Sequence, residues 1–241
     1  MALTERKPPD VIETHRTPLW RFANHPDPQA CLDKNRDYEV ELDDWWRFCY
    51  DEKREDWLEI GLDVPAKQMF FSGFWSQGDG ACFDACTIDW EKFWPQLTGK
   101  YPLLAQFKGQ LPQPELNHSG RYSHEYSVCI SLDDPYGYAE TEVVDAAIRQ
   151  RFPRMPDYTM SVYRDHPDIW DLLTARYKDR FVQELAELET ELQELLRDKM
   201  RELYVYLEED YNSLTSDKFL REKFTDDDTL LFDEDGTIHY V

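Results

Sequence analysis

Residues 167–211 read PDIWDLLTARYKDRFVQELAELETELQELLRDKMRELYVYLEEDY, with no glycine anywhere and no proline after the first position. Leu173, Tyr177, Phe181, Leu185, Leu188, Leu192, Leu196, Met200, Leu203 and Leu207 step by threes and fours. That spacing places them on one face of an α-helix. Pro167 suits the first helical turn, where its missing N–H has no intrahelical acceptor to lose. One helix of this extent would be roughly 65 Å long at 1.5 Å rise per residue. A lone stripe of that length needs cover. The expectation is a helix that projects, pairs with a second copy as a coiled coil, or breaks near 195–201 and folds back.

The stretch before it reads as smaller elements. Residues 1–35 carry Pro8, Pro9, Pro18, Pro26 and Pro28 without a sustained period, which predicts an extended arm pinned by Trp20 and Phe22. Val40, Trp45, Trp46, Cys49, Trp57 and Ile60 recur at helical spacing before Gly61, predicting one helix or two short ones over 39–60. Residues 67–75 and 81–88 read as strands around a glycine-punctuated turn, with a short helix from Asp89 and a loop over 109–114. From His118 to Leu132 the residues alternate. Tyr122, His124, Tyr126 and Val128 fall on one face of a predicted strand, Arg121, Ser123, Glu125 and Ser127 on the other. A helix follows over 140–151, and 232–238 reads as a strand-turn-strand ending. The fold class is α+β: a small antiparallel sheet packed by aromatic-rich helices, with a long acidic helical C-terminal element. The expected division is an arm over 1–35, a core over 36–165 and the acidic element over 166–241.

Charge sharpens this. The chain of 241 residues has a formal net charge of −23, yet 15% of it is aromatic. A disordered chain of such charge would be poor in aromatics, so a folded protein is expected. Residues 166–241 hold 21 acids against 9 bases, whereas 66–165 hold 13 against 9. A surface of this sign repels phosphates and argues against direct nucleic-acid binding. The first residues show no apolar core of a secretory signal, no apolar run is long enough to span a membrane, and five cysteines form no dense framework. A reduced cytoplasmic setting is expected.

The most distinctive segment is Phe71-Ser72-Gly73-Phe74-Trp75-Ser76-Gln77-Gly78-Asp79-Gly80-Ala81-Cys82-Phe83. Its glycines permit left-handed backbone and close approach of another chain. It lacks the Lys-Ser/Thr ending of a phosphate loop, and a hairpin turn is its simplest reading. Together with His118-Ser119-Gly120-Arg121-Tyr122-Ser123-His124-Glu125-Tyr126, and with Tyr206–Tyr211, Leu214–Asp217 and Phe232–Gly236, it resembles a phage and prophage family. That family is often labelled "antitoxin of toxin–antitoxin stability system". Together with the Trp45–Ile60 helix the resemblance covers about half the chain; the proline-rich arm and the long charged helix depart from it. It implies an accessory protein that neutralises a host toxin or defence factor, in the host cytoplasm.

Three chemistries are weighed for these segments. Cys82, His118, His124 and Asp79 supply the residue types of a thiol nucleophile with its base. However, no helix N-terminus lowers the thiol pKa, and two histidines six apart on a strand lie about 20 Å from end to end. Cys82 and Cys86 with a histidine have zinc-like spacing, but on a strand they stand about 13 Å apart. Ser76, Gln77, Asp79, His118, Arg121 and His124 can instead contact a ligand or partner in a groove between hairpins. No catalytic residue, cofactor or metal is assigned.

The acids of the long helix give the preferred reading. Glu184, Glu187, Glu189, Glu191, Glu194, Glu208 and Glu209 are read either as a solvated face or as a surface that imitates nucleic acid and occupies a basic protein partner. The expected function is stoichiometric binding of a basic, nucleic-acid-binding toxin or defence protein. The rivals are a ligand-binding protein or enzyme using the Ser76–Cys82 loop and the 118–126 strand, and a structural coiled-coil homodimer.

Overall fold

The computed structural model describes residues 18–42, 44–119, 122–134, 136–151 and 167–240. The described residues form seven helices: α1 (Pro28–Lys34), α2 (Tyr38–Leu42), α3 (Trp46–Glu59), α4 (Trp90–Phe93), α5 (Tyr138–Arg151), α6 (Pro167–Leu214) and α7 (Asp217–Asp226). Eight short strands pair as four antiparallel ribbons. These are β1 (Leu62–Asp63) with β4 (Thr87–Ile88), β2 (Met69–Phe71) with β3 (Ala81–Phe83), β5 (Glu115–His118) with β6 (Val128–Ser131), and β7 (Leu230–Phe232) with β8 (Ile238–Tyr240). The class is α+β, as the sequence predicts. The expected single sheet is instead four separate two-stranded ribbons, too short to bury a face alone.

Two compact units divide the chain, Trp45–Asp210 and a smaller one made of Met1–Asp44 with Tyr211–Val241. These boundaries cut across the sequence-based division at residues 36 and 166. In the smaller unit, residues 18–35 of the expected arm are folded; residues 1–17 lie outside the described residues. Trp20 exchanges backbone hydrogen bonds with Phe232. Asp27 caps α1, its carboxylate accepting from the N–H groups of Gln29 and Ala30, with Pro28 in the first turn. Phe22, Cys31 and Leu32 then bury against Leu220, Phe224, Leu230 and Phe232. Pro28 starts a helix here.

In the larger unit α6 is the organising element. It is one unbroken helix of 48 residues, about 70 Å long, so the break expected near 195–201 does not occur. Phe181, Leu188, Leu192, Leu196, Met200, Leu203 and Leu207 are buried, and the rest of the unit is strung along them. Lys53 reaches Glu202, Phe74 meets Tyr204, and Tyr126 lies under Arg197. From Phe181 to Leu207 the apolar stripe is covered inside this chain. Among the described residues no helix is long and apolar enough to cross a membrane.

The alternating run 118–132 is also corrected. Only its ends are strand, as β5 and β6; between them the chain turns back, with Ser119 N–H donating to Ser127 O at 2.7 Å. A 3-10 turn at Glu125–Ser127 is capped by His124, whose ring nitrogen accepts from Tyr126 N–H. The alternation is therefore a hairpin connection, not two faces of one strand.

Candidate functional site

The glycine-rich loop and the 119–127 connection meet, as a groove between hairpins requires. Gly78 has φ 94°, and a Cβ added there would sit 3.3 Å from the Tyr122 ring. A Cβ on Gly80 would lie 2.8 Å from the Ser123 carbonyl oxygen and 3.0 Å from His124 Cα. Glycine is what lets the two backbones touch. Trp75 holds a left-handed φ of 67°, a strained setting for a bulky side chain. A backbone hydrogen bond ties it to Tyr204 on α6.

The residues expected to contact a ligand are mostly occupied in building this junction. Asp79 accepts from Ser76 N–H at 2.7 Å while its own N–H donates to Ser76 O, so its carboxylate locks the turn. His124 caps the 3-10 turn, and its ring stacks on Tyr126. Ser76 and Gln77 are exposed at the tip. Arg121 lies outside the described residues.

His118 comes within 3.8 Å of the Cys82 sulfur, through the same Nε2 that stands 3.0 Å from Tyr122 O. A carbonyl oxygen only accepts, so Nε2 carries the proton and donates it there. It cannot then take the thiol proton. Burial, with Asp84 nearby, pushes the Cys82 thiol up to about 11, and Cys82 is sealed from solvent. A protonated, inaccessible sulfur is not a nucleophile. The pair clamps the β5–β6 connection onto β3. Among the described residues no three His, Cys, Asp or Glu side chains are placed to hold a metal.

The acids of α6 divide. Glu184 is 6% exposed. Its carboxylate accepts from the backbone N–H groups of Leu103 (2.8 Å) and Leu104 (3.0 Å) at the start of a 3-10 turn, and from Arg180 Nε. Such N–H groups have no acceptor of their own. Glu191 accepts from Thr98 N–H, Thr98 Oγ1, Gly99 N–H and Tyr101 Oη. Burial alone would raise its pKa; these hydrogen bonds outweigh that and hold it below the ordinary value of 4.5. Glu189 accepts from Leu132 N–H at 2.7 Å. Three carboxylates of α6 thus anchor two segments, residues 98–104 and the one at Leu132. Glu187, Glu194 and Glu209 are exposed and Glu208 is half-buried.

A second acidic face was not anticipated. On α3, Asp51, Glu52, Glu55, Asp56 and Glu59 are all exposed, and at 100° per residue they share one side of the helix with Phe48 and Leu58. Phe48 is 79% exposed. Cys49, Tyr50 and Trp57 are the buried side. The acids sit at i, i+1, i+4, i+5 and i+8, a spacing present in the sequence alongside the apolar spacing of the buried Cys49 and Trp57.

A family profile described as "Domain of unknown function (DUF8835)" matches residues 45–217. The match begins where the larger unit begins and ends just past it. No curated protein and no solved structure matches the chain.

Proposed function

The chain belongs to the family defined by this domain of unknown function (DUF8835), and on that premise we propose that it is a stoichiometric binding protein for a basic protein partner. The observation that carries the reading is the outward face of α3, five exposed carboxylates over residues 51–59 with the exposed Phe48 ring at their N-terminal end. Helical order fixes those charges in a row, and a fixed anionic row with an aromatic ring at one end complements a cationic groove that ends in an apolar pocket. Such a groove is what nucleic-acid-binding proteins offer. Exposed Glu187, Glu194 and Glu209 extend the field that steers the encounter. The likeness to the phage and prophage antitoxin-labelled family sets the kind of partner: a host toxin or defence factor, met in the cytoplasm. The buried, protonated Cys82 weighs against the enzymatic alternative.

The test is a pull-down from host lysate at low and high salt, with wild type beside a Glu55→Lys, Glu59→Lys double variant. A basic protein retained by wild type at low salt, released by salt and not retained by the double variant is the expected outcome. Retention that survives charge reversal, or is indifferent to salt, would overturn the electrostatic reading.

A further inference from the structure

Where the glycine loop meets the 119–127 connection, one ring nitrogen has two competing partners. Nδ1 of His124 accepts from Tyr126 N–H at 3.2 Å, which caps the 3-10 turn at Glu125–Ser127. Glu125 Oε2 stands 3.1 Å from that same Nδ1. A ring nitrogen accepts only while it carries no proton and donates only once it does, so the partners exclude each other. With Nδ1 bare, the backbone N–H is satisfied and the carboxylate faces a lone pair. With Nδ1 protonated, the carboxylate gains a charge-assisted hydrogen bond and Tyr126 N–H loses its acceptor.

The surroundings give that choice a consequence. Glu125 is 8% exposed, so its carboxylate has little water to turn to. Its Oε1 lies 3.5 Å from Arg201 Nε on α6, and Arg201 is paired in turn with Asp198 at 2.6 Å. Arg197, also on α6, sits over the Tyr126 ring while bonded to Glu194. From β3, the neutral Cys82 sulfur takes a hydrogen bond from the His124 backbone N–H, and His118 on β5 faces Cys82 and Tyr122 O. Among the described residues Glu125 is the acid paired with the His124 ring. A Cβ on Gly80 would lie 3.1 Å from the ring's Cδ2, and the ring stacks on Tyr126 with centroids 5.3 Å apart. An imidazole that turns toward Glu125 therefore turns away from Tyr126. The His124 side chain is 30% exposed, so solvent can deliver the proton.

From this geometry we propose that His124 is a proton-operated catch: bare Nδ1 holds the 3-10 turn closed, and protonation transfers the ring to Glu125 and frees Tyr126. Histidine is the side chain whose charge ordinarily changes between about pH 5 and 8. The catch lies at the hairpin junction and not on the outer face of α3, so it and the proposed partner binding can fail independently.

The test is NMR on the full chain with isotope-labelled tyrosine and histidine, at about pH 8 and about pH 5. At the higher pH a scalar coupling across the Tyr126 N–H···Nδ1 hydrogen bond is expected. At the lower pH that coupling should be lost and Nδ1 should carry its own slowly exchanging proton. The freed Tyr126 amide should exchange about tenfold faster, after correction for the intrinsic effect of pH. An unchanged amide of Tyr204, inside α6, reports that the fold is intact at both values. His124→Asn keeps a capping oxygen that does not titrate, and should abolish the response of Tyr126 to acid. Glu125→Gln, which removes the anion, should lose the slowly exchanging Nδ1 proton. A coupling that survives at the lower pH, or an equal response to acid in His124→Asn, would overturn the catch. An Nδ1 proton signal undiminished in Glu125→Gln would overturn the part given to Glu125.

Discussion

The acids of α6 around residues 184–191 and those of α3 over 51–59 are the same chemical groups on the same kind of element, and they do opposite things. Glu184, Glu189 and Glu191 point into the larger unit and accept from backbone N–H groups at residues 98–104 and 132. Asp51, Glu55 and Glu59 point to solvent beside Phe48. The difference lies in what each faces. A carboxylate next to unpaired backbone donors becomes a structural cap; one facing water remains available to another molecule. Net charge therefore overstates how much of the acid on α6 faces solvent and says nothing of where the acids of α3 point.

The largest test of this contrast is Glu184→Ala. It leaves two buried N–H groups without an acceptor, and a loss of about 3 kcal/mol is expected in urea unfolding. A loss under about 0.5 kcal/mol would place Glu184 with the surface acids. Next comes Gly80→Ala at the junction of the glycine loop and the 119–127 connection. Its new Cβ meets backbone at 2.8 Å, so a destabilisation of about 1–3 kcal/mol is expected by the same measurement.

Glu191→Gln should cost less, about 1 kcal/mol near neutral pH, because an amide still accepts from some of the four donors. Its folded pKa lies below the ordinary 4.5, so the carboxylate stabilises the fold above that value and the contribution is lost as pH falls through the folded pKa. The stability gap between wild type and Glu191→Gln should narrow in acid; a constant gap would remove the charge from the account. The smallest effect belongs to Glu55→Lys with Glu59→Lys. Unfolding free energy should move by no more than about 0.5 kcal/mol, while binding to the basic partner disappears. A large stability loss there would mean that α3's outer face is also structural.

Much of this fold is legible in the sequence because helices and hairpins are set by neighbours. Pro167, the stripe from Phe181 to Leu207 and the absence of glycine specify α6, and Asp89 caps α4 where the sequence starts a helix. The 118–132 run misleads because alternation alone cannot distinguish a strand from a turned segment. What turns it is the Ser119–Ser127 hydrogen bond, the His124 cap and the nearly buried Glu125 beside Arg201. The candidate site was half legible. The glycine loop and the histidine segment meet, and the carboxylate of Asp79 and the rings of His118 and His124 make hydrogen bonds within their own turns there.

By itself the sequence determined the α+β class, the helical run of residues 167–211 and the amount of charge, all consequences of local spacing and composition. Only the tertiary structure decided which carboxylates face in and that the Cys82–His118 pair is a clamp. Those outcomes depend on which backbone donors and rings are brought within 3–4 Å of a side chain from dozens of residues away, and no local periodicity encodes that.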